Sequence, residues 1–436
     1  MVMNSIQKQG AISKQGWIMI ILLFFLTVIS NVDKAIIGFA SVQIMDELNI
    51  TPTQWGLVGS VFFWLYSLSA ILMGALSDKI GAKRVITIIA IIWAVVQFST
   101  FFVYSFPLLL ATRLILGAGE GPAYSLAMTS ASKWLPKQKL SFGLTLVSIG
   151  GPLGVAISAP ILMYIMQSFG WRSGFIATAV VGVIWVLIWL KFSKEQPEEK
   201  ASSISTPIEM DMDMEEREKE TKFTTSLFSK NFLLIALCGF ATYWSYTFGL
   251  NWLPNYLANV RQISEAQLSF AVTVPWILIT LSQLFFSFLS DRLYSKTNSI
   301  IRSRVLVLGP VMILGSVCYI LGTMVSSDIL AVGLLSLGLT FGCITLILGP
   351  TLLVNLISKR HQGKIQGWFM AIASLGGIVG PYITGLFVEN SVSATTGFQY
   401  SFFTCAGLLF VFGVTACIGI RPKKSPVSEV STNTAI

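Results

Sequence analysis

Long apolar runs, separated by short polar turns, fill the chain from end to end except at one place near its middle. A helix needs about 20 apolar residues to cross a bilayer at 1.5 Å rise per residue. Twelve stretches qualify: 17–41, 55–77, 84–105, 107–131, 141–166, 173–192, 232–257, 267–290, 304–325, 329–357, 364–388 and 398–420. Glycine and proline recur inside them, as at Gly150-Gly151-Pro152 and Gly380-Pro381. Membrane helices tolerate both, because neighbouring helices satisfy the freed backbone groups and small residues permit close approach. The pattern predicts an all-α membrane protein of twelve transmembrane helices in a lipid bilayer.

The one long polar segment divides the chain. Residues 191–231 hold ten acidic and seven basic residues among Ser, Thr, Pro and Met. Such a composition predicts a flexible or partly helical linker. The domains expected are a six-helix bundle over 1–192, an acidic linker over 193–231 and a second bundle over 232–436. The halves share weak echoes. Leu76-Ser77-Asp78-Lys79 follows the second span and Leu289-Ser290-Asp291-Arg292 the eighth, while the fifth and eleventh spans are both rich in Gly and Pro. Doubled six-helix units with a site between the halves are an architecture of alternating-access transporters.

Composition supports lipid as the solvent: 54% of the 436 residues are hydrophobic and 11% charged, where soluble domains carry about 25% charged residues. The net charge of +9 is a matter of topology, with no nucleic-acid partner implied. All but four of the 29 lysines and arginines fall on one side of the twelve-span layout, the exceptions being Lys34, Arg113, Arg172 and Arg261. Positive charge stays inside, so both termini are expected to be cytoplasmic. The five cysteines lie within apolar runs without a CxxC pair, and His361 is alone in a basic loop. Neither a disulfide framework nor a metal site is expected, and no cofactor beyond protons. The first run, from Trp17, is too long for a signal peptide. No nucleophile–base pair or phosphate loop suggests an enzyme.

Four charged residues lie well inside predicted helices: Asp33 and Lys34 in the first span, Arg113 and Glu120 in the fourth. Each costs about 2.5–3.5 kcal/mol at a helix centre on insertion scales, so each is a functional candidate. Their charges sum to zero, which allows a paired network. Lys34 and Arg113 fall about 10 and 9 Å from the outer helix ends. Glu120 lies two turns beyond Arg113 on the same face. The layout offers two cations to an anion, with carboxylates below that exchange protons. Arginine suits bidentate capture of a carboxylate and lysine acts as a point charge. Elsewhere the polar groups are milder: Tyr66, Tyr243, Tyr246, Asn251, Thr345 and Ser374. These suit hydrogen bonding to a polyol body, and equally suit ordinary helix packing.

Two stretches carry a family resemblance. Residues 74–84 contain Gly74, Asp78, Lys79, Gly81, Lys83 and Arg84, and this resembles the loop 2–3 signature of the major facilitator superfamily. There Gly74 lets two helices touch, and Gly81 permits a tight turn. Asp78 accepts from a helix N-terminus or pairs across the halves, and Arg84 anchors the surface, the group forming a conformational latch. The second stretch is Arg113-Leu-Ile-Leu-Gly117-Ala-Gly119-Glu120-Gly-Pro122, seen with Asn31-Val-Asp33-Lys34, Phe62-Phe63-Trp64-Leu-Tyr66, Gly170-Trp171-Arg172 and Trp252-Leu-Pro254-Asn-Tyr256. Together these resemble the anion:cation symporter family within that superfamily, whose members include bacterial proton symporters for galactonate, glucarate and hexuronates. The resemblance implies a monomeric carrier in the cell membrane that imports a small organic anion with protons. It assigns proton carriage to Asp33 and Glu120, and carboxylate binding to Lys34 and Arg113. Three positions depart from the family pattern: Lys34 stands for the usual Arg, Gly151 for Gln, and Ser374 for Asn. Two other readings stand beside it, a proton-coupled drug antiporter of the same fold and a transporter-like ligand sensor signalling through the acidic segment.

Overall fold

The protein is described by a computed structural model that covers residues 12–136, 139–195, 227–356 and 362–421. Most of the expected linker, His361 and the two tails lie outside the described residues. The first half comprises α1 (Lys14–Phe39), α2 (Ser41–Leu48), α3 (Pro52–Ile80), α4 (Ala82–Ser99), α5 (Phe106–Glu120), α6 (Ala123–Trp134), α7 (Leu140–Phe169) and α8 (Trp171–Phe192). The second comprises α9 (Lys230–Asn251), α10 (Leu253–Asn259), α11 (Glu265–Thr297), α12 (Leu306–Met324), α13 (Asp328–Gly342), α14 (Thr345–Leu356), α15 (Gln362–Asn390) and α16 (Ala394–Gly419). The start of α3 shows how local sequence sets a boundary. Pro52 occupies the first turn, Thr51 Oγ1 accepts from Gln54 N, and Gln54 Oε1 accepts from Thr51 N. This reciprocal capping box fixes the helix end.

Ten helical segments among the described residues are long and apolar enough to cross a membrane. The other two predicted spans take different forms. The second is α3, one continuous helix of 29 residues, several of whose side chains lie outside the described residues. The fourth is broken at Gly121-Pro122 into α5 and α6, since proline lacks the amide that continues a helix. Three more predicted spans contain breaks, at Ala40, at Trp252 and at Cys343-Ile344. The breaks fall at matching places in the two halves, in spans one and seven and in spans four and ten.

Packing repeats the same order twice. In the first half α1 packs on α7, α3 on α5 and α4 on α8; in the second α9 packs on α15, α11 on α13 and α12 on α16. Large apolar side chains such as Ile184, Leu187, Leu281, Phe285, Phe288 and Phe410 remain exposed around the bundle, the surface of a protein whose outer solvent is lipid. Gln15 at the start of α1 bonds the end of α8, and Asn231 at the start of α9 bonds Arg421 after α16. This end is called the terminal face.

The halves meet along α3 against α15 and α7 against α11. Their hydrogen bonds concentrate away from the terminal face. Thr53 N donates to Glu389 Oε2 at 2.7 Å, Trp55 Nε1 to Asn251 O at 3.2 Å, and Gln167 Nε2 to Glu265 O at 3.4 Å. Backbones touch there as well. A Cβ on Gly38 would sit 1.7 Å from Leu250 O, and one on Gly385 would sit 2.3 Å from Pro52 O. The far face is therefore sealed by contacts that only glycine allows.

On that face, Glu47 clamps the first half. Its carboxylate accepts from Arg172 Nη1 at 2.7 Å and Trp171 Nε1 at 2.8 Å, while Arg172 also donates to Phe101 O and Val103 O. The Gly170-Trp171-Arg172 motif thus ties the start of α8 to α2 and to the end of α4. Partial burial opposes charge on Glu47, but the bonds from Trp171 and Arg172 outweigh it and hold the carboxyl below its ordinary range.

Two outcomes follow. A carboxyl lowered in the folded state contributes stability above its unfolded pKa, near 4.3 for glutamate, and loses it as pH falls through the folded value. Thermal unfolding in detergent should show this acid-side loss in the wild type and less of it in Glu47→Gln. Gly38→Ala should prise open the far face, seen as severalfold faster labelling of a Val58→Cys reporter by an impermeant maleimide. Gly407→Ala, where a Cβ meets nothing within 4 Å, should leave labelling unchanged.

Candidate functional site

A cavity lies between the halves behind the sealed face. It encloses about 1070 Å³, open mouth included. Its first-half wall is Thr27, Ser30, Asn31 and Lys34 of α1, Phe63 and Tyr66 of α3, Ala123 and Tyr124 of α6, and Ser148, Gly151 and Pro152 of α7. The second half supplies Tyr243 and Tyr246 of α9, Trp276, Ile279 and Gln283 of α11, Cys343, Leu346 and Pro350 near the second break, and Phe369 and Met370 of α15. The breaks of the fourth and tenth spans border this space, consistent with irregular backbone at membrane depth being tolerated where it lines a cavity. Among the described residues, Lys34 is the one charged residue in the wall.

Lys34 does not stand alone. Its Nζ lies 3.0 Å from Glu120 Oε2, with the two side chains 9% and 0% exposed. Lys34 Nζ also donates to Ser30 Oγ at 2.7 Å, and Ser30 Oγ donates to Glu120 Oε2 in a very short contact. Glu120 Oε1 has no hydrogen-bond partner among the described residues. The lysine thus faces the cavity with its counter-ion tucked behind it. The position of Glu120 follows from the glycines of its motif. A Cβ at Gly117 or Gly121 would lie 1.9 Å from Phe62 O or Tyr66 O, so α5 meets α3 backbone to backbone, bringing Glu120 up beneath Lys34.

The other two charges form a separate buried group. Gln97 Nε2 donates to Asp33 Oδ1 at 2.6 Å, while Arg113 Nη2 reaches Gln97 Oε1 at 3.5 Å. Asp33, Gln97 and Arg113 are at most 1% exposed. Arg113 Nε lacks a partner among the described residues, and the guanidinium stands 5.5 Å from the centre of the Phe175 ring. Gln97 is an amide bridge between acid and base that the charge pattern did not single out. The available signal was a lone carboxamide within an otherwise apolar span.

Of the residues chosen from sequence, Lys34, Tyr66, Tyr243 and Tyr246 share the cavity wall. Tyr246 OH donates to Asn31 Oδ1 at 3.1 Å across the halves, and Lys34 Nζ is 5.8 Å from the Tyr66 ring centre. Asp33, Glu120 and Arg113 are buried behind that wall. Ser374 is 1% exposed and bonds Ser67 across the α3–α15 seam and Ala371 O on its own helix, a seam position outside the cavity wall. Thr345 is fully buried and reaches Met312 Sδ at 3.7 Å.

The stretch expected to form a latch is partly described. Gly81 has φ +91° and is the residue before α4. The surroundings of Gly74 and the side chain of Asp78 lie outside the described residues, and Arg84 is exposed. The acid seen at the α4 N-terminus is Glu195, whose two oxygens accept from Ala82 N and Lys83 N at 2.9 and 3.0 Å. Lys83 Nζ donates to Ser193 O nearby. Sequence reasoning missed Glu195 because it is 112 residues away from Lys83, in a stretch read as linker.

A sequence model of the Major Facilitator Superfamily matches residues 23–349 and 235–434. The chain is 30% identical over 413 residues to a hexuronate transporter of Bacillus subtilis (strain 168), covering 94% of this chain and 96% of that one. It is 29% identical over 401 residues to a probable sulfoacetate transporter of Cupriavidus necator, covering 90% and 91%. Among solved structures, a bacterial homolog of the human lysosomal transporter Spinster, inward-facing and occupied, aligns with TM-score 0.74 at 15% identity, covering 93% of this chain and 98% of the other. The matched segments, full-length relatives and shared helical fold place the chain in the Major Facilitator Superfamily of membrane transporters.

Proposed function

We propose that this transporter imports a small organic anion, a sugar acid or related carboxylate, together with protons, by alternating access of twelve spans. It works as a monomer in the cell membrane, with both termini and the terminal face cytoplasmic and the 193–231 linker joining two six-helix domains. The sealed far face and the cavity behind it then correspond to an inward-open state. The family's named relatives support the anion class, one being a hexuronate and another a probable sulfoacetate transporter.

The Lys34–Glu120 pair carries this reading. A carboxylate in the cavity competes with Glu120 for the single wall cation. Once Lys34 turns to the substrate, Glu120 is left as a buried anion without its partner, a costly state. A proton on Glu120 removes that cost. Anion binding and protonation therefore favour each other, a coupling between two sites through one shared lysine. Asp33 is the second proton carrier, held by Gln97 within the same half. Tyrosines and Asn31 supply donors to a hydroxylated body, and the aromatic wall covers its C–H faces.

Proteoliposomes with an outward-to-inward proton gradient test this directly with gluconate, galactonate, hexuronates and short carboxylates. The expected result is accumulation of at least one acid, abolished in Lys34→Ala and largely restored in Lys34→Arg. Silence toward every acid by folded protein overturns the anion reading. Glu120→Gln should retain anion exchange yet lose accumulation driven by the pH gradient. Undiminished gradient-driven accumulation in that variant removes Glu120 from the proton path.

A further inference from the structure

One polar side chain of the main cavity takes no part in the charged network. On α11, Trp276, Ile279 and Gln283 all line the wall, and their spacing puts them on one face of the helix. Most other polar groups of the wall are already engaged. Thr27 bonds Val147 O, Tyr246 bonds Asn31, and Tyr124 and Ser148 bond each other. Gln283 makes no hydrogen bond among the described residues, although a carboxamide holds two donors and an acceptor. Apart from Gln283 and the tyrosines, the second half's wall is largely apolar, as at Ile279, Leu346, Phe369 and Met370.

The depth of Gln283 follows from the helices about the cavity. Lys34 folds back along α1, its Nζ donating to Ser30 Oγ one turn earlier. Its charge therefore lies near the level of Asn31, which accepts from Tyr246, whose ring meets that of Trp276 edge-on at 5.9 Å. Gln283 is two turns further along α11 than Trp276, about 10 Å. It lies away from the seal, since α11 starts at Glu265 on the far face. The cavity thus has a cation at its closed end and a neutral amide toward its other end. The space between them takes the body of an acid as well as its carboxylate.

We infer that Gln283 reads the end of the substrate opposite its carboxylate, and restricts the carrier to monoacids whose far end is neutral and hydrogen-bonding. Its amide donates to, or its oxygen accepts from, a hydroxyl at that end. A second carboxylate there would meet an amide and apolar side chains, with no cation to offset its desolvation. The preferred class is therefore the aldonates and uronates. The aldarates, which carry a carboxylate at both ends, are refused. The inference deepens the anion-symport reading and rests on it.

Three acids on one carbon skeleton test this in proteoliposomes: gluconate and glucuronate with one carboxylate, glucarate with two. The wild type should carry at least one monoacid and use glucarate at least about tenfold less efficiently. The analogue 6-deoxygluconate, which lacks the terminal hydroxyl, should need about tenfold more than gluconate for half-saturation, the order of one hydrogen bond. Gln283→Leu should impose a similar rise on gluconate and leave 6-deoxygluconate unchanged. Gln283→Lys, which supplies a second cation, should admit glucarate, a gain that damaged folding cannot produce. The inference is overturned, with anion symport left standing, by any of four results: equal weakening of gluconate and 6-deoxygluconate in Gln283→Leu, wild-type use of glucarate on a par with the monoacids, no gain in Gln283→Lys, or carriage only of acids too short to reach Gln283. A wild type that carries no organic anion sinks the symport reading first, and this specificity with it.

Discussion

Ion pairing in the absence of water organises this molecule. Four charges sit inside an apolar bundle where each would be costly alone. They are resolved into two arrangements: a direct pair, Lys34 with Glu120 at 3.0 Å, and an amide-bridged group, Asp33 with Gln97 and Arg113. The arrangements differ in tightness. The first is a close contact with one carboxylate oxygen unused; the second leaves a guanidinium with a single long bond. Neither is saturated: among the described residues Glu120 Oε1 and Arg113 Nε lack hydrogen-bond partners.

The surrounding fold holds these groups beside the junction of the two halves. Close helix contact at Gly117 and Gly121 pins Glu120 below Lys34 from the first half alone. The second half contributes hydroxyls, rings and amides but no charge to the cavity wall. The four charges therefore belong to one half, while the other supplies shape and hydrogen bonds to the wall. The asymmetry of chemistry sits on a symmetric frame, with the same packing pairs and matched helix breaks in each half.

How much of this could be read in advance differs from residue to residue. Asp33, Lys34, Arg113 and Glu120 announced themselves, because a charge in an apolar run is rare and costly wherever it points. Tyr66, Tyr243 and Tyr246 were legible only as mild polar groups that suit a ligand or helix packing alike, and the fold placed them in the cavity wall. Gln97 was not, since a neutral amide stands out far less and its importance comes from bridging Asp33 and Arg113 on two other helices. Ser374 was chosen by analogy of position and proves to belong to the α3–α15 seam. Glu195 looked like the first acid of a linker, and its role at the start of α4 emerges only when α8 ends beside that helix.

The sequence by itself determined the membrane solvent, the apolar segments that cross it and the four charges buried among them. These follow from apolar run length, charge and cost, which are properties of short stretches of chain. Tertiary structure decided which charge pairs with which, that Lys34 faces the cavity while Arg113 is buried behind its wall, and which face is sealed. Those outcomes depend on helix rotation and on backbone approach at a few glycines, where one atom more would hold two helices apart. A contact of that kind belongs to two distant segments at once, and neither segment records it alone.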